Sequence, residues 1–120
     1  NAYVYWNMIL PPGGESSWGW NQNSMITVDP STSSVSWNPE FFVMKHFSHF
    51  VPQDSTRLGL RGSWTAKSLA FEQPNGQTVI VAANPCSSER LLSVSASGIH
   101  FQAELPAASF NSFVLPFPVV

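Results

Sequence analysis

Six short β-prone segments between residues 56 and 115 constrain the fold of this 120-residue chain more than any other feature. Their spacing leaves no room for the crossover helices that parallel strands need, so we expect antiparallel pairing. Asn75 and Gly76 give a strong hairpin signal, because both residues tolerate positive φ. The sequence therefore predicts a mostly β chain with an antiparallel β-sandwich over residues 55–120. The segments span residues 56–62, 67–72, 78–83, 90–95, 99–105 and 110–115.

The first half of the chain is expected to contain one hairpin and one helix. Residues 24–29 and 34–37 are short β-prone runs on either side of a Pro-Ser-Thr-Ser turn, which favours a hairpin. Asn38 is a good N-cap, and Pro39 suits the first helical position. Apolar residues then recur with helical spacing up to the next proline. We therefore expect a helix over residues 39–51, so apolar that it needs partners on more than one side.

Three tryptophans and several amide side chains crowd into the first 23 residues, around a Pro-Pro-Gly-Gly turn. Residues 5–10 are predicted to form a buried strand, whereas residues 17–23 have almost no hydrophobic periodicity. Flat indole faces beside amide groups suit a sugar, whose weakly apolar C–H faces are ringed by hydroxyls. The alternative is that the indoles fill a core around the turn. Trp18 and Trp20 favour a binding site, because a loop has less core to fill.

Composition and charge exclude several classes of function. Charged residues make up only 10% of the chain, and the net charge is −2. The lysines and arginines are scattered, which argues against nucleic-acid binding and against a polybasic membrane patch. No apolar run approaches the ~18–20 residues of a transmembrane helix. The single cysteine, Cys86, cannot form an internal disulfide. The chain begins in strand-like sequence without an initiator methionine or a signal-like segment, as a fragment would.

The titratable residues do not form a recognisable catalytic or metal-binding motif. The seven acidic residues are dispersed, and each is expected to be solvated or to cap an element. His46 and His49 are three residues apart on the predicted helix and can share a face. A third metal ligand is not evident, because His100 lies in a distant strand. We therefore predict no metal and no cofactor, and expect His46 and His49 to form buried hydrogen bonds or to complement the helix C-terminus.

An ordered series of short motifs extends over nearly the whole chain. The series consists of Tyr5-Trp6-Asn7-Met8-Ile9-Leu10, Gly13-Gly14, Trp18, Asn21, Met25-Ile26-Thr27-Val28-Asp29, His46-Phe47-Ser48, Pro74-Asn75-Gly76 and Thr78-Val79-Ile80-Val81-Ala82-Ala83-Asn84. In order and spacing it resembles the C-terminal part of glycoside hydrolase family 30, which includes glucosylceramidases and β-1,6-glucanases. No single motif is decisive, so the resemblance rests on the series.

The resemblance implies a fold and a place for this chain within a larger enzyme. Members of the family combine a (β/α)₈ barrel with a β-sandwich and are retaining β-glycosidases. Residues 1–54 would then be the end of the barrel, with its last strand, a substrate-facing loop and its last helix at residues 39–51. Residues 55–120 would be the β-sandwich. A secreted or otherwise extracytoplasmic location is also an expectation from the resemblance.

The resemblance assigns sugar-contacting residues to the N-terminal segment. Active sites of such barrels lie at the C-terminal ends of the strands, so the loop after residue 10 would face the substrate. Trp6 matches the family tryptophan that packs against the sugar in the −1 subsite. Asn21 matches a loop asparagine near the same sugar, although a difference in loop length could move this role to Asn23. Asn7, Trp18 and Trp20 are weaker candidates, whose family neighbours are mostly structural or line outer subsites.

The two catalytic carboxylates of the family would lie upstream of residue 1, so this chain alone is expected to be inactive. The favoured hypothesis is the C-terminal part of a β-glycosidase that acts on β-glucosides of the glucosylceramide or β-1,6-glucan type. Its partners would be the glycan substrate and the remaining, N-terminal part of the barrel. Two alternatives stay open: a carbohydrate-binding β-sandwich that uses Trp18, Trp20 and Trp64, and a purely structural β-module. Truncation also predicts an exposed apolar patch that includes Trp6 and Met8 and promotes association.

Overall fold

The computed structural model describes residues 2–96 and 98–116, which are mostly β. The chain divides into two compact units, Asn1–Lys45 and His46–Val120. The described residues form β1 Ile9–Leu10, β2 Ile26–Asp29, β3 Ser34–Trp37, α1 Pro39–Phe50, β4 Thr56–Leu58, a 3₁₀-helix Thr65–Lys67, β5 Ser68–Glu72, β6 Thr78–Asn84, β7 Arg90–Ala96, β8 Ile99–Leu105 and β9 Ser109–Leu115. None of the helices in this part of the chain has the length and apolarity needed to cross a membrane.

The N-terminal unit contains a three-stranded sheet in the order β1-β2-β3. β1 pairs with β2 in parallel, with Ile9 opposite Ile26, and β2 pairs with β3 in the predicted antiparallel hairpin. The Asp29 carboxylate stabilises the hairpin turn, since it accepts hydrogen bonds from the Ser31 hydroxyl, the Ser31 amide and the Thr32 hydroxyl. These bonds lower the pKa of Asp29.

The prediction of a buried strand over residues 5–10 is wrong in both extent and burial. Only Ile9–Leu10 forms a strand, and the Trp6, Met8 and Ile9 side chains are 79%, 64% and 54% exposed. Asn7 has φ 51°, a left-handed conformation that interrupts an extended segment. Among the described residues β1 pairs with β2 alone. An apolar run becomes buried only where other elements cover it, and sequence pattern does not reveal whether they do.

Helix α1 spans Pro39–Phe50 and begins where the sequence predicts. Asn38 precedes it, and its side-chain nitrogen donates to the Ser24 carbonyl at 2.8 Å and to Thr27 Oγ1 at 2.9 Å. These bonds fix the start of the helix to β2. No residue of α1 is fully buried, so the expectation that the helix has partners on several sides is not met within the described part of the chain.

The C-terminal unit contains the predicted antiparallel sandwich. One sheet has the order β4-β5-β6-β9, and the β7–β8 hairpin forms a second layer. Ile80 and Ala82 of β6 face the core, where side chains of the hairpin such as Leu92 and Phe101 pack. The fully buried members of this core are Ala70, Ile80, Ala82, Leu92, Leu105 and Leu115.

The opposite face of β6 is also buried, with Val79 and Val81 no more than 3% exposed. The last turns of α1 reach the neighbouring strands on this face. Phe47 meets Phe71 of β5 edge-on, with ring centroids 6.4 Å apart. His46 Nδ1 lies 2.9 Å from Ser112 Oγ of β9. Burial on both faces explains why β6 is a continuous apolar run rather than an alternating one.

Candidate functional site

A narrow loop between Gly14 and Gln22 follows β1 and carries most of the candidate site residues. The Gln22 amide donates to the Gly14 carbonyl at 2.8 Å, and the Ser16 amide donates to the Trp20 carbonyl at 2.9 Å. Gly14 is buried and has φ +64°, and a Cβ at this position would overlap the Gln22 carbonyl oxygen. The loop therefore closes only because residue 14 has no side chain.

An open concavity of about 550 Å³ lies between this loop and the segment before β1. It brings together Trp6 and Asn21, the two residues that the resemblance assigns to the sugar, and it includes Asn23, the alternative to Asn21. The Trp6 indole is 79% exposed, so its face is available to a ligand. The lining residues are Tyr3, Val4, Tyr5, Trp6, Asn7, Asn21, Gln22 and Asn23.

Asn7 and Gln22 hold the two sides of the concavity together. Asn7 Nδ2 donates to Gln22 Oε1 at 2.6 Å, which connects the segment before β1 to the end of the loop. The Asn7 carbonyl also accepts a hydrogen bond from the Met25 amide at 3.3 Å. These contacts set the position of the backbone on either side of Trp6 and Asn21. Sequence reasoning placed little weight on Asn7 and none on Gln22, although Gln22 lies between two candidate asparagines.

Trp18 and Trp20 do not line this concavity. Their side chains are 80% and 65% exposed. Ser16 Oγ accepts hydrogen bonds of 3.3 Å from the backbone amides of both residues, which fixes the turn while leaving the indoles free. Their role in substrate binding stays a prediction.

The concavity combines groups that can bind a sugar but none that can cleave one. An indole face accepts the apolar side of a pyranose ring, and the amides of Asn21 and Asn23 can both donate to and accept from hydroxyls. Burial, followed by the Glu40 carboxylate and Tyr3, raises the pKa of the Tyr5 phenol, which therefore stays neutral at physiological pH. No carboxylate is among the residues that line this surface.

The other candidates from the sequence lie elsewhere. His46 forms the expected hydrogen bond, to Ser112, and burial lowers the pKa of its imidazole. His49 is exposed and contacts the ring of Phe50. Trp64 is half-buried and packs against the core cluster of the sandwich, which leaves it less free to stack on a ligand than the loop tryptophans. Within residues 2–96 and 98–116, no group of three or more His, Cys, Asp or Glu side chains could hold a metal ion.

The family of this chain follows from its match to a model of a known protein domain. The model of the glycosyl hydrolase family 30 beta sandwich domain matches residues 54–113, which is half of the chain. The chain belongs to glycoside hydrolase family 30. The matched residues begin just before β4 and end within β9, so they cover most of the sandwich of this family 30 chain.

The similarity to individual family 30 relatives extends beyond the sandwich. The chain is 30% identical over 117 residues to lysosomal acid glucosylceramidase of Mus musculus and 25% identical over 118 residues to putative glucosylceramidase 3 of Caenorhabditis elegans. Each alignment covers 94% of this chain and 23% of the relative. The chain thus spans about a quarter of the length of these relatives.

Two solved structures share the fold. The endo-beta1,6-glucanase BT3312 superposes with a TM-score of 0.74 at 21% identity, over 92% of this chain and 26% of that protein. SrfJ from Salmonella typhimurium superposes with a TM-score of 0.82 at 22% identity, over 93% of this chain and 25% of that protein. Both superpositions include the N-terminal unit as well as the sandwich, since they cover more than nine-tenths of the chain.

Proposed function

We propose that this chain is the sugar-positioning C-terminal part of a retaining β-glycosidase that hydrolyses β-glucosides of the glucosylceramide or β-1,6-glucan type. The observation that carries the proposal is that Trp6 and Asn21 line the same open concavity in a chain of family 30. The similar proteins support this class of substrate, since they include two glucosylceramidases and a β-1,6-glucanase.

In this proposal Trp6 stacks on the sugar, while Asn21 or Asn23 hydrogen-bonds its hydroxyls. Retaining hydrolysis needs two carboxylates about 5–5.5 Å apart, one as nucleophile and one as acid/base. The concavity offers neither, so both would come from the rest of the enzyme, upstream of residue 1. The chain would then contribute by holding the substrate in position against those carboxylates, and by itself it would not hydrolyse a glycoside.

The partner of the N-terminal unit in this proposal is the remainder of a (β/α)₈ barrel, of which residues 1–54 would form the last strand, loop and helix. Exposed apolar side chains before and within β1 support it, since Tyr3 is 73% exposed and Met8 64%. Such a patch is unusual on a monomeric protein and favours association. Sedimentation of the 120-residue chain should show self-association; a monomer that unfolds cooperatively would count against a truncated barrel.

The proposed location is extracytoplasmic. One relative is named as lysosomal, which supports an extracytoplasmic location.

The sugar-binding role can be tested by titrating the ¹⁵N-labelled chain with methyl β-D-glucopyranoside. The Trp6 indole N–H signal should shift in a saturable way, and Trp6→Ala should abolish binding. Trp18→Ala is the matched control, since the indole at position 18 is equally exposed but lies off the concavity. No saturable shift at Trp6 would refute the proposal.

A carbohydrate-binding module without catalytic function is the second candidate. The exposure of Trp18 and Trp20, at 80% and 65%, favours it, because two free indoles on one loop can stack on a glycan. In the same titration this function predicts that Trp18→Ala or Trp20→Ala removes binding and that Trp6→Ala does not. A purely structural module predicts no saturable binding at any tryptophan.

A further inference from the structure

A second crevice, of about 330 Å³, adjoins the concavity that contains Trp6. Gln22 and Asn23 line both, so these two residues form the wall between them. On the far side of this wall the crevice is lined by Ser24 and Thr27 of the β2 region and by Asn38 and Glu40 at the start of α1. Its volume lies near the lower end of the about 300–1,000 Å³ of small-molecule sites.

The lining of the crevice is polar, and several of its groups are available to a ligand. The side-chain nitrogen of Asn38 donates to Ser24 and Thr27, which leaves the side-chain oxygen of Asn38 as an acceptor. The side-chain oxygen of Gln22 accepts from Asn7, which leaves the side-chain nitrogen of Gln22 as a donor. Within residues 2–96 and 98–116, the Asn23 amide and the Glu40 carboxylate form no side-chain hydrogen bond.

This mixture of donors and acceptors fits hydroxyl groups. Each sugar hydroxyl donates one hydrogen bond and accepts others, so it can satisfy a carboxylate or a carbonyl oxygen and an amide N–H together. An acyl chain would instead leave these polar groups desolvated and unpaired, at a cost of about 1–3 kcal/mol for each group. The lining therefore favours a sugar over the lipid part of a glycolipid.

The two cavities also share an electrostatic connection. Glu40 of the crevice contributes to the raised pKa of the Tyr5 phenol, which lines the concavity, although burial contributes more. The carboxylate therefore lies near enough to act on a group in the first cavity. Because Gln22 and Asn23 line both cavities, a ligand that extends beyond these two residues from the concavity would meet the lining of the crevice.

We propose that the concavity and the crevice together bind two consecutive sugar residues, one on Trp6 and the next against Glu40, Asn38 and Asn23, so that the chain selects a glycan rather than a glucolipid. This inference rests on the proposed function, because it takes the Trp6 concavity as the site of the first sugar. Glu40 accepts hydrogen bonds from hydroxyls of the second sugar, and Asn38 accepts from another hydroxyl through its side-chain oxygen.

The experiment compares three ligands on the ¹⁵N-labelled 120-residue chain: methyl β-D-glucopyranoside, octyl β-D-glucopyranoside and gentiobiose, a β-1,6-linked glucose disaccharide. All three should shift the Trp6 indole N–H signal. Gentiobiose alone should also shift the side-chain N–H₂ signal of Asn38, which lines the crevice but not the concavity. This comparison needs no variant and therefore does not depend on any substitution being tolerated.

Glu40→Gln tests the crevice directly, because it removes the charge and preserves the shape of the side chain. It should weaken gentiobiose binding by about five- to tenfold, because a hydrogen bond to a charged acceptor is replaced by a weaker neutral one, and leave methyl β-glucoside affinity within about twofold. Glu72→Gln is the control, since Glu72 is an exposed carboxylate on β5 of the C-terminal unit. It should change neither affinity.

Each other outcome refutes a distinct statement. If gentiobiose shifts Trp6 but not Asn38, or if Glu40→Gln weakens both sugars equally, the crevice is not a second subsite while the proposed function stands. If octyl β-glucoside shifts the crevice signals as gentiobiose does, the crevice accepts a lipid chain and the glycan preference is wrong. If no ligand shifts Trp6, the proposed function and this inference fail together.

Discussion

Gly14 and Gln22 lie so close together that a Cβ on residue 14 would overlap the carbonyl oxygen of residue 22. The same two residues share a backbone hydrogen bond of 2.8 Å, which closes the loop. Because Gln22 also lines the candidate site, the absence of a side chain at position 14 fixes one wall of that site.

Gly14→Ala should therefore open the loop and disturb the Trp6 concavity. The substitution combines a steric overlap with a positive φ, and we expect a loss of about 2 kcal/mol or more in the free energy of unfolding and a loss of sugar binding. Gly13→Ala is the control, because its φ is +83° but a Cβ there would meet nothing within 4 Å. It should cost about 1 kcal/mol and preserve binding. Equal effects of the two substitutions, measured by denaturant titration, would contradict this account.

Asn84 is the main buried polar group of the sandwich, with 1% of its surface exposed. Its side-chain nitrogen lies within 3.0 Å of the carbonyl oxygens of Ser88, Leu105 and Pro106, and its side-chain oxygen accepts from the Cys86 amide. Asn84→Ala should leave these groups unpaired and lower the free energy of unfolding by about 2–4 kcal/mol.

Asn84→Asp tests the hydrogen bonds that the Asn84 side chain donates, because aspartate has nearly the same shape as asparagine. A carboxylate can still accept from Cys86 but cannot donate to the three carbonyls, so it should destabilise the sandwich at neutral pH at least as much as alanine does. Gln102→Ala, on the exposed face of β8, is the control and should change stability by less than about 0.5 kcal/mol. Tolerance of aspartate at position 84 would show that donation is unimportant there.

Two buried serines should respond oppositely to removal of the hydroxyl. Ser24 Oγ donates to the Ile26 carbonyl at 2.8 Å, whereas Ser68 Oγ has no hydrogen-bond partner among the described residues. Ser24→Ala should lower the free energy of unfolding by about 1 kcal/mol, because it leaves a partner unpaired. Ser68→Ala should be neutral or slightly stabilising, since it removes a desolvated, unpaired hydroxyl. The difference between the two unfolding midpoints measures this contrast directly.

Stability should fall with acidification in a way that depends on His46. Burial lowers the pKa of His46 in the folded chain below its ordinary value of 6.5. The unfolded chain therefore binds the proton first, so the stabilisation is fully present above about pH 6.5 and is lost as pH falls through the folded pKa.

His46→Asn should flatten this pH dependence, because asparagine can hydrogen-bond Ser112 but does not titrate. His49→Asn, on the exposed side of the same helix, should leave the pH dependence unchanged. Denaturant titrations between pH 5 and 7.5 would distinguish the variants. An unaltered slope in His46→Asn would show that other groups control the acid response.

The sandwich was predicted well from the sequence, because its strands are joined by local turns. The Gln73 amide and the Gln77 carbonyl close the Asn75-Gly76 hairpin at 2.8 Å, so the signal and the structure that it predicts lie within five residues. β4 is shorter than predicted, ending at Leu58, and the 3₁₀-helix at Thr65–Lys67 was not expected. Gly59 and Gly62 lie within the segment 56–62, over which a single strand was predicted.

The candidate site was less predictable. Trp6 and Asn21 were named through the family resemblance, and the concavity that they share follows from a left-handed Asn7 and a glycine at position 14. A single left-handed residue and a single glycine produce no periodic pattern in the sequence, so neither feature could be predicted from periodicity. The hydrogen bond between Asn7 and Gln22 joins residues fifteen positions apart, so no local rule could identify it.

The double-sided burial of β6 has a consequence for the order in which the molecule opens. Its amide hydrogens are bonded into β5 and β9 and shielded above and below by side chains, so local fraying cannot reach them. In deuterium oxide the Val79 and Val81 amides should be the last to exchange, and only through global opening of the sandwich. The Ile9 and Leu10 amides, in a two-residue strand with exposed surroundings, should exchange early.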